Sequence, residues 1–216
     1  IGGRSKIARY GILQHSTLCV TDQNEPLGLI DLQYLDDDQR DLTIDREYRA
    51  HDEKKTYCWI NALRNMREKF KENDCPVITV ADREGDFFDF LHELTIHKEK
   101  FVIRSKHNRI IGKKWSKGNN KLFEILRDQQ DIGMIKTDIY DVNTHEIKEI
   151  ELNFKAVKDI DLPVPTNHYT IEKTDYQSIK VNAVMAYNQT HCWVLLTNLP
   201  VETIEEIETV MKIYKA

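Results

Sequence analysis

The stretch VITVADREGDFFDFLHELTIHKEKFVIRSKHNR, residues 77–109, decides the predicted fold. Its first apolar, β-branched run ends in the charged sequence DREGD at 82–86. An amphipathic segment follows, and a second apolar run at 101–103 ends in RSKH at 104–107. This alternation predicts a strand, a helix and a strand. Because parallel strands joined by a helix end at the same edge of a sheet, both charged segments are predicted to face one crevice, where open α/β sheets place their chemistry.

The rest of the chain adds strands on both sides of this unit. The other predicted elements are a hairpin at 9–21 and 27–34, a loop at 36–52, a helix at 53–73, a short helix at 122–127, an alternating hairpin at 134–157, strands at 179–187 and 192–197, and a helix after Leu199. In the alternating hairpin, Ile147, Leu152 and Phe154 are the predicted inward positions. The order predicts an α/β fold with a mixed sheet and flanking helices, interrupted by a β-rich block after residue 109.

Composition is typical of a soluble globular protein. The 216 residues are 40% hydrophobic and 31% charged, enough for a packed core in one or two domains and unlike a disordered chain. No apolar run is long enough for a membrane span, and the first residues do not resemble a signal peptide. The four cysteines lie far apart, which favours buried, reduced thiols over zinc or disulfides. These features predict a cytoplasmic protein.

Charge is unevenly distributed along the chain. The net charge of −5 argues against indiscriminate binding of nucleic acid. Residues 104–121, however, contain seven Lys or Arg residues, Trp115 and no acid, whereas residues 200–209 are rich in Glu. Since local fields steer a polyanion, the basic stretch favours a contact with nucleic acid or phosphate. The alternative interpretation is a set of solvated surface lysines.

The residues alone leave the role of Asp82 open. A carboxylate at the carboxyl end of a buried strand is a suitable Mg²⁺ ligand, but two-metal phosphoryl transfer needs two or three converging carboxylates. Asp82 could equally cap the helix that follows, and Asp86 could do so from the first turn. No P-loop, GxGxxG, serine nucleophile elbow or HExxH motif occurs in the chain.

Several ordered motifs resemble one enzyme family. ADREGDFFDFL followed by FVIRSKHNR closely resembles the central block of cut-and-paste bacterial DDE transposases of the insertion-sequence-four group, which includes transposon-five-like transposases. Further resemblances to that family, in the same order along the chain, are HSTLCVTDQNEPLGLIDLQ (15–33), EKKTYCW (53–59) and HCWVLLTNLPVETIEEIETVMKIY (191–214). The resemblance covers nearly the whole chain.

The resemblance implies a ribonuclease-H-like fold with a β-rich insertion. Residues 1–106 would be the ribonuclease-H-like core without its first catalytic strand, and 107–198 the insertion subdomain. Residues 199–216 would begin the final catalytic helix of the core. This division agrees with the change of pattern after residue 109.

The resemblance also implies roles for individual residues. Asp82 would be the second carboxylate of the DDE triad and would bind one or both catalytic Mg²⁺ (or Mn²⁺) ions. The implied contacts to transposon-end DNA are Arg104 and Lys106, Arg83 as a weaker candidate, Trp193 and Tyr214. Trp193 matches a tryptophan that stacks on a flipped base, although a core aromatic on a buried strand is the alternative.

The other two carboxylates of the family motif fall outside this chain. The first Asp is expected on a strand upstream of Ile1, and the Glu seven residues after Tyr214. The expected function is therefore that of a fragment of a DNA transposase. The parent would nick transposon ends and transfer strands by metal-dependent phosphoryl transfer, as a dimer on paired double-stranded ends, and the fragment alone would be inactive. The alternatives are a non-catalytic DNA-binding transposase remnant and a stand-alone ribonuclease-H-like nuclease.

Overall fold

The structure, a computed structural model, describes residues 12–35, 55–72, 75–112, 120–141, 144–165 and 176–215. The strands are β1 (Leu13–Val20), β2 (Pro26–Leu35), β3 (Ile78–Ala81), β4 (Lys100–Arg104), β5 (Gly133–Asp141), β6 (Glu146–Leu162), β7 (Ile179–Tyr187) and β8 (Cys192–Thr197). The helices are α1 (Tyr57–Phe70), α2 (Phe88–Ile96), α3 (Leu122–Asp128) and α4 (Ile204–Lys215). The protein is thus a mixed α/β protein, and its chain divides into two compact units at residues 74 and 75.

The first unit contains a β-hairpin and one helix. Strands β1 and β2 pair antiparallel around a turn in which the hydroxyl of Thr21 accepts hydrogen bonds from the backbone N–H groups of Gln23 (3.2 Å) and Glu25 (3.1 Å). The apolar face of α1 is buried, including Ile60 and Leu63. The predicted hairpin and helix are both confirmed, while the loop predicted at 36–52 lies outside the described residues.

The second unit is organised by a six-stranded sheet. Its strand order is β3-β4-β8-β7-β6-β5. Strand β3 runs parallel to β4, and every other neighbouring pair is antiparallel. The side chains of Phe101, Val102 and Ile103 in β4 are fully buried, as expected for a central strand covered on both faces. The predicted strand, helix and parallel strand are therefore confirmed, with β3, α2 and β4 in that order.

The β-rich block predicted after residue 109 belongs to this same sheet. Strand β8 pairs with β4 on one side and with β7 on the other, so hydrogen bonds connect β5, β6, β7 and β8 directly to the strand–helix–strand unit. Helix α4 packs its buried side chains Ile207, Val210 and Met211 into a core shared with Leu152, Phe154 and Leu195. The domain boundaries at residues 106 and 198 stay a prediction.

One of the inward positions predicted in the alternating hairpin is wrong. Leu152 and Phe154 are buried, at 0% and 1% exposure, but Ile147 is 73% exposed. The reason is the two-residue period of a β-strand, which places Ile147 on the opposite face of β6 from Leu152 and Phe154. Its partner across the strand pair, Tyr140, lies on that same face and is 59% exposed. Strand β7 pairs with β6 only between Asn153 and Leu162, so the first part of β6 is paired with β5 alone. The opposite face of the strand and the end of the pairing with β7 both leave Ile147 outside the core.

The predicted state of the cysteines is partly corrected. All four lie in the described ranges and none of them forms a disulfide, as the sequence predicts. Cys58 is buried, but Cys75 and Cys192 are exposed, so burial was wrong for these two thiols. Within the described ranges, no α-helix combines the length and apolar character needed to cross a membrane.

Candidate functional site

Asp82 lies at the carboxyl end of β3, where its side chain is exposed. Its Oδ1 accepts a hydrogen bond from the backbone N–H of Glu84 (2.9 Å) at the start of a single 3₁₀ turn, Arg83–Gly85. The turn closes with a bond from the N–H of Gly85 to the carbonyl of Asp82 (3.1 Å). Asp82 therefore caps this 3₁₀ turn and not α2, which begins at Phe88, so the capping role is observed but not for the predicted helix. An exposed carboxylate at a strand end is also accessible to a cation.

Asp86, at the other end of the same turn, is buried and faces β4. It is 1% exposed. Its Oδ2 accepts hydrogen bonds from the N–H of Lys106 (2.6 Å), the N–H of His107 (2.9 Å) and the hydroxyl of Ser105 (3.1 Å). Its Oδ1 forms an ion pair with the guanidinium of Arg109. The predicted helix-capping role for Asp86 is wrong, because α2 begins at Phe88 and the carboxylate is used by the segment after β4.

The Asp86 network joins the two charged segments of the sequence. Two backbone N–H groups, one hydroxyl and one guanidinium surround a single carboxylate, and hydrogen bonds to a charged acceptor are the stronger kind. Burial lowers the pKa of the Arg109 guanidinium, while the charge of Asp86 and its hydrogen bond oppose that shift. The expectation that both charged segments lie at one edge of the sheet is confirmed by these contacts.

The network also reduces the number of cations in the basic stretch that face solvent. The side chain of Arg109 is 18% exposed and is paired with Asp86, so it is held inside the protein. Lys106 is exposed. Residues 113–119, which contain three of the seven cations and Trp115, lie outside the described residues.

Arg104 and Trp193 form a basic–aromatic pair beside this edge. Arg104 is the last residue of β4, and its Cζ lies 5.9 Å from the ring centroid of Trp193 in β8. This distance is within the range of a cation–π contact. The ring of His191 meets the same Trp193 ring edge-on, with centroids 6.2 Å apart. The side chain of Arg83 is exposed on the turn after β3.

Trp193 and Tyr214 are both half-buried and pack against the core shared by α4 and the sheet. The core-aromatic interpretation of Trp193 is therefore supported, because its side chain packs against the core while remaining partly exposed. Tyr214 lies in the last turn of α4. The structure brings Trp193 together with Arg104 but records no polar contact between Tyr214 and the other candidate residues described.

The residues that hold this edge together are not among the site residues predicted from the sequence. Besides Asp86 and Ser105, Asn108 has such a role. Its Oδ1 accepts a hydrogen bond from the N–H of Phe123 (2.9 Å) at the start of α3, and its amide donates to Glu124 (2.9 Å). The available signal was the parallel strand–helix–strand prediction itself. Polar side chains in the two loops that leave the same sheet edge are the ones expected to bond to each other.

Asp82 fits the role of one oxygen ligand to a hard cation but does not form a metal site with its described neighbours. Among the residues that the structure describes, no three His, Cys, Asp or Glu side chains are grouped so that they could hold a metal ion. A two-metal centre requires further carboxylates. No known protein-family model matches this chain.

Proposed function

We propose that this chain is the central part of a DDE transposase of the insertion-sequence-four group, with a ribonuclease-H-like core. The parent enzyme would cleave transposon ends and transfer strands by phosphoryl transfer. The observation that carries the proposal is the shared edge of β3 and β4. There Asp82 of the DREGD segment and Lys106 of the RSK segment are tied together through the carboxylate of Asp86. A metal-ligating carboxylate and cationic side chains at one edge are what phosphoryl transfer on DNA requires.

In this proposal Asp82 holds the catalytic cation. When bound, Mg²⁺ or Mn²⁺ supplies Lewis-acid stabilisation of the attacking and leaving oxygens of the phosphodiester. Asp82 contributes one oxygen ligand and remains anchored by its hydrogen bond from Glu84. The remaining carboxylates would come from residues beyond the described part of the chain.

The proposed DNA contacts are arranged around this carboxylate. Lys106 and Arg83 are exposed cations that would neutralise phosphates, which contributes affinity but little sequence information. Arg104 and Trp193 are already stacked, so a nucleotide base would be received on a surface with both charge and an aromatic ring. Tyr214 lies in the last turn of α4, the helix that leads toward the expected catalytic Glu, and is the remaining proposed DNA contact.

The sheet is compatible with a further strand beside β3. Among the described strands, β3 is an edge strand that pairs only with β4. A strand bound to its other edge in parallel would end next to Asp82, because parallel strands end at the same sheet edge. The first catalytic Asp of the family motif is expected at the end of such a strand. This geometry supports the proposal without requiring any change in the described fold.

The flanking sequence of the gene gives the first test. The proposal expects an Asp on an apolar strand upstream of Ile1 and a Glu seven residues after Tyr214. In the full-length protein, Asp82→Asn should lower DNA-end cleavage by about 10³-fold or more, because a ligand of the catalytic cation is lost. DNA binding in the absence of divalent cations should be unchanged or slightly tighter, because Asp82→Asn removes a negative charge. The readout is a cleavage assay on transposon-end DNA.

The matched control is Asp138→Asn, which removes an equal charge from an exposed position on β5 and should leave cleavage unchanged. A flanking sequence without those carboxylates, combined with DNA binding, would favour the non-catalytic DNA-binding remnant. Robust cleavage by the present chain alone, abolished by Asp82→Asn, would instead favour a stand-alone nuclease. Neither result is compatible with the proposal as stated.

A further inference from the structure

We propose that Asp86 is a positioning residue for DNA binding, which fixes Lys106 and the turn after Asp82 as one rigid surface. The inference rests on the proposed function, since it concerns how the same edge meets DNA. Asp86 itself is buried and touches no solvent with its side chain, which is 0% exposed. It therefore acts through the residues that it holds and is not itself a DNA contact.

On the β4 side, the Asp86 carboxylate is bonded to three successive residues after the strand. A β-strand normally ends in a flexible loop, but here the two residues after Ser105 both donate their backbone N–H to one oxygen of Asp86. Ser105 adds its hydroxyl to the same oxygen, and its own N–H donates to the carbonyl of Val194 in β8 (2.7 Å). The backbone of Lys106 is consequently held on the sheet, although its side chain is exposed.

On the β3 side, Asp86 belongs to the same turn as Asp82. Asp82 and Asp86 stand at opposite ends of one 3₁₀ turn, and Asp82 caps the first end. The N–H of Asp86 donates to the carbonyl of Arg83 (3.4 Å), so Asp86 closes the second end. The buried carboxylate therefore connects the turn that carries Asp82 and Arg83 to the segment that carries Lys106. A preorganised surface loses less conformational entropy when it binds a ligand.

The charge of Asp86 distinguishes a positioning role from a purely electrostatic one. Arg109 pairs with Asp86, so the network brings one anion and one cation into the protein together. If Asp86 influenced DNA only through its negative charge, its removal would strengthen binding, because a polyanion prefers a more positive protein. A positioning role predicts the opposite sign. The two roles are thus separable by one measurement.

The experiment measures the affinity of the unaltered chain and four variants for a short duplex DNA, over a range of salt concentrations. Lys106→Ala should weaken binding roughly three- to tenfold and reduce the slope of log K against log salt by about one, as for one lost phosphate contact. Asp86→Asn should weaken binding by a similar factor. In the Lys106→Ala background, Asp86→Asn should have little further effect, since coupled residues are not additive.

A control and a milder variant keep the test decisive. Asp138→Asn makes the same charge change at an exposed site on β5 and should leave affinity the same or slightly higher. If Asp86→Asn fails to fold, Ser105→Ala removes one hydrogen bond of the network and leaves the Asp86–Arg109 pair intact. Ser105→Ala should then weaken DNA binding less than is expected for Asp86→Asn. This loss should also be small in the Lys106→Ala background.

Amide hydrogen exchange without DNA reports on the network separately. In Asp86→Asn, the amides of Lys106 and His107 should exchange much faster, while those in β7 should not change. Two results would overturn the positioning role alone. One is unchanged or tighter DNA binding by Asp86→Asn although its Lys106 and His107 amides exchange faster. The other is an equal loss of affinity from Asp86→Asn with and without Lys106→Ala. If instead Lys106→Ala leaves affinity and salt slope unchanged, the proposed DNA contact itself is overturned.

Discussion

The two ends of the six-stranded sheet both carry ion pairs, in very different surroundings. Beside β3 and β4, the carboxylate of Asp86 is fully buried and its partner Arg109 is 18% exposed. At the far end, Lys136 of β5 lies 3.5 Å from Glu151 and 3.8 Å from Glu149 of β6, and all three side chains are more than half exposed. Removing one partner of a buried pair leaves a charge without compensation, whereas water replaces an exposed partner.

This comparison indicates which end of the sheet has a fixed shape. The β3–β4 end contains a network in which one carboxylate is bonded to four donors from the next loop. The β5–β6 end is held by its strand pairing, with solvated charges on the surface. A site that requires preorganised side chains belongs at the first end.

The largest expected effect is that of Arg109→Ala, which leaves the Asp86 carboxylate buried without its cation. We expect the free energy of unfolding to fall by about 3–5 kcal/mol, the usual cost of breaking a buried pair from one side. Urea denaturation followed by circular dichroism would measure it. Arg127→Ala is the matched control, because Arg127 is 61% exposed and lies 3.7 Å from Glu124. Equal effects of the two substitutions would show that the Asp86 network contributes no special stability.

A second prediction compares two apolar residues on opposite faces of β6. Leu152→Ala should lower the free energy of unfolding by about 2–5 kcal/mol, because it removes a fully buried side chain from the core. Ile147→Ala should change it by less than about 1 kcal/mol, because Ile147 is 73% exposed. Thermal or urea unfolding of both variants checks the difference. A large effect of Ile147→Ala would mean that this end of β6 is covered by another surface in solution.

The same pair shows what the sequence could and could not predict about the fold. Periodicity identified each described strand and helix of the second unit, because alternation and helical spacing are local properties. The same period of two places Ile147 and Leu152 on opposite faces of β6, so the alternation already shows that they are not both inward. Which of the two faces is covered depends on α4 and the neighbouring strands, and that is a property of the assembled sheet.

For the candidate site, too, the sequence predicted the position of the elements but not all of the contacts between them. The parallel strand–helix–strand pattern predicted that the segments around Asp82 and Lys106 would meet at one edge. It did not identify Asp86 as their connection, because a charged residue ahead of a helix is first interpreted as a cap. Only the three-dimensional positions of the N–H groups of Lys106 and His107 show that the carboxylate is turned toward β4.

The smallest expected effect is that of Lys136→Ala, at the exposed end of the comparison. Lys136 faces Glu151 directly across the strand pair, so a favourable cross-strand contact is lost, but both side chains are well hydrated before and after the change. We expect the free energy of unfolding to change by less than about 1 kcal/mol and the change to shrink further at high salt. Urea denaturation at two salt concentrations measures both quantities. In our view the two ends of the sheet differ in the burial of their ion pairs, since both ends have such pairs. A loss of stability from Lys136→Ala that is as large as that from Arg109→Ala and insensitive to salt would contradict this view.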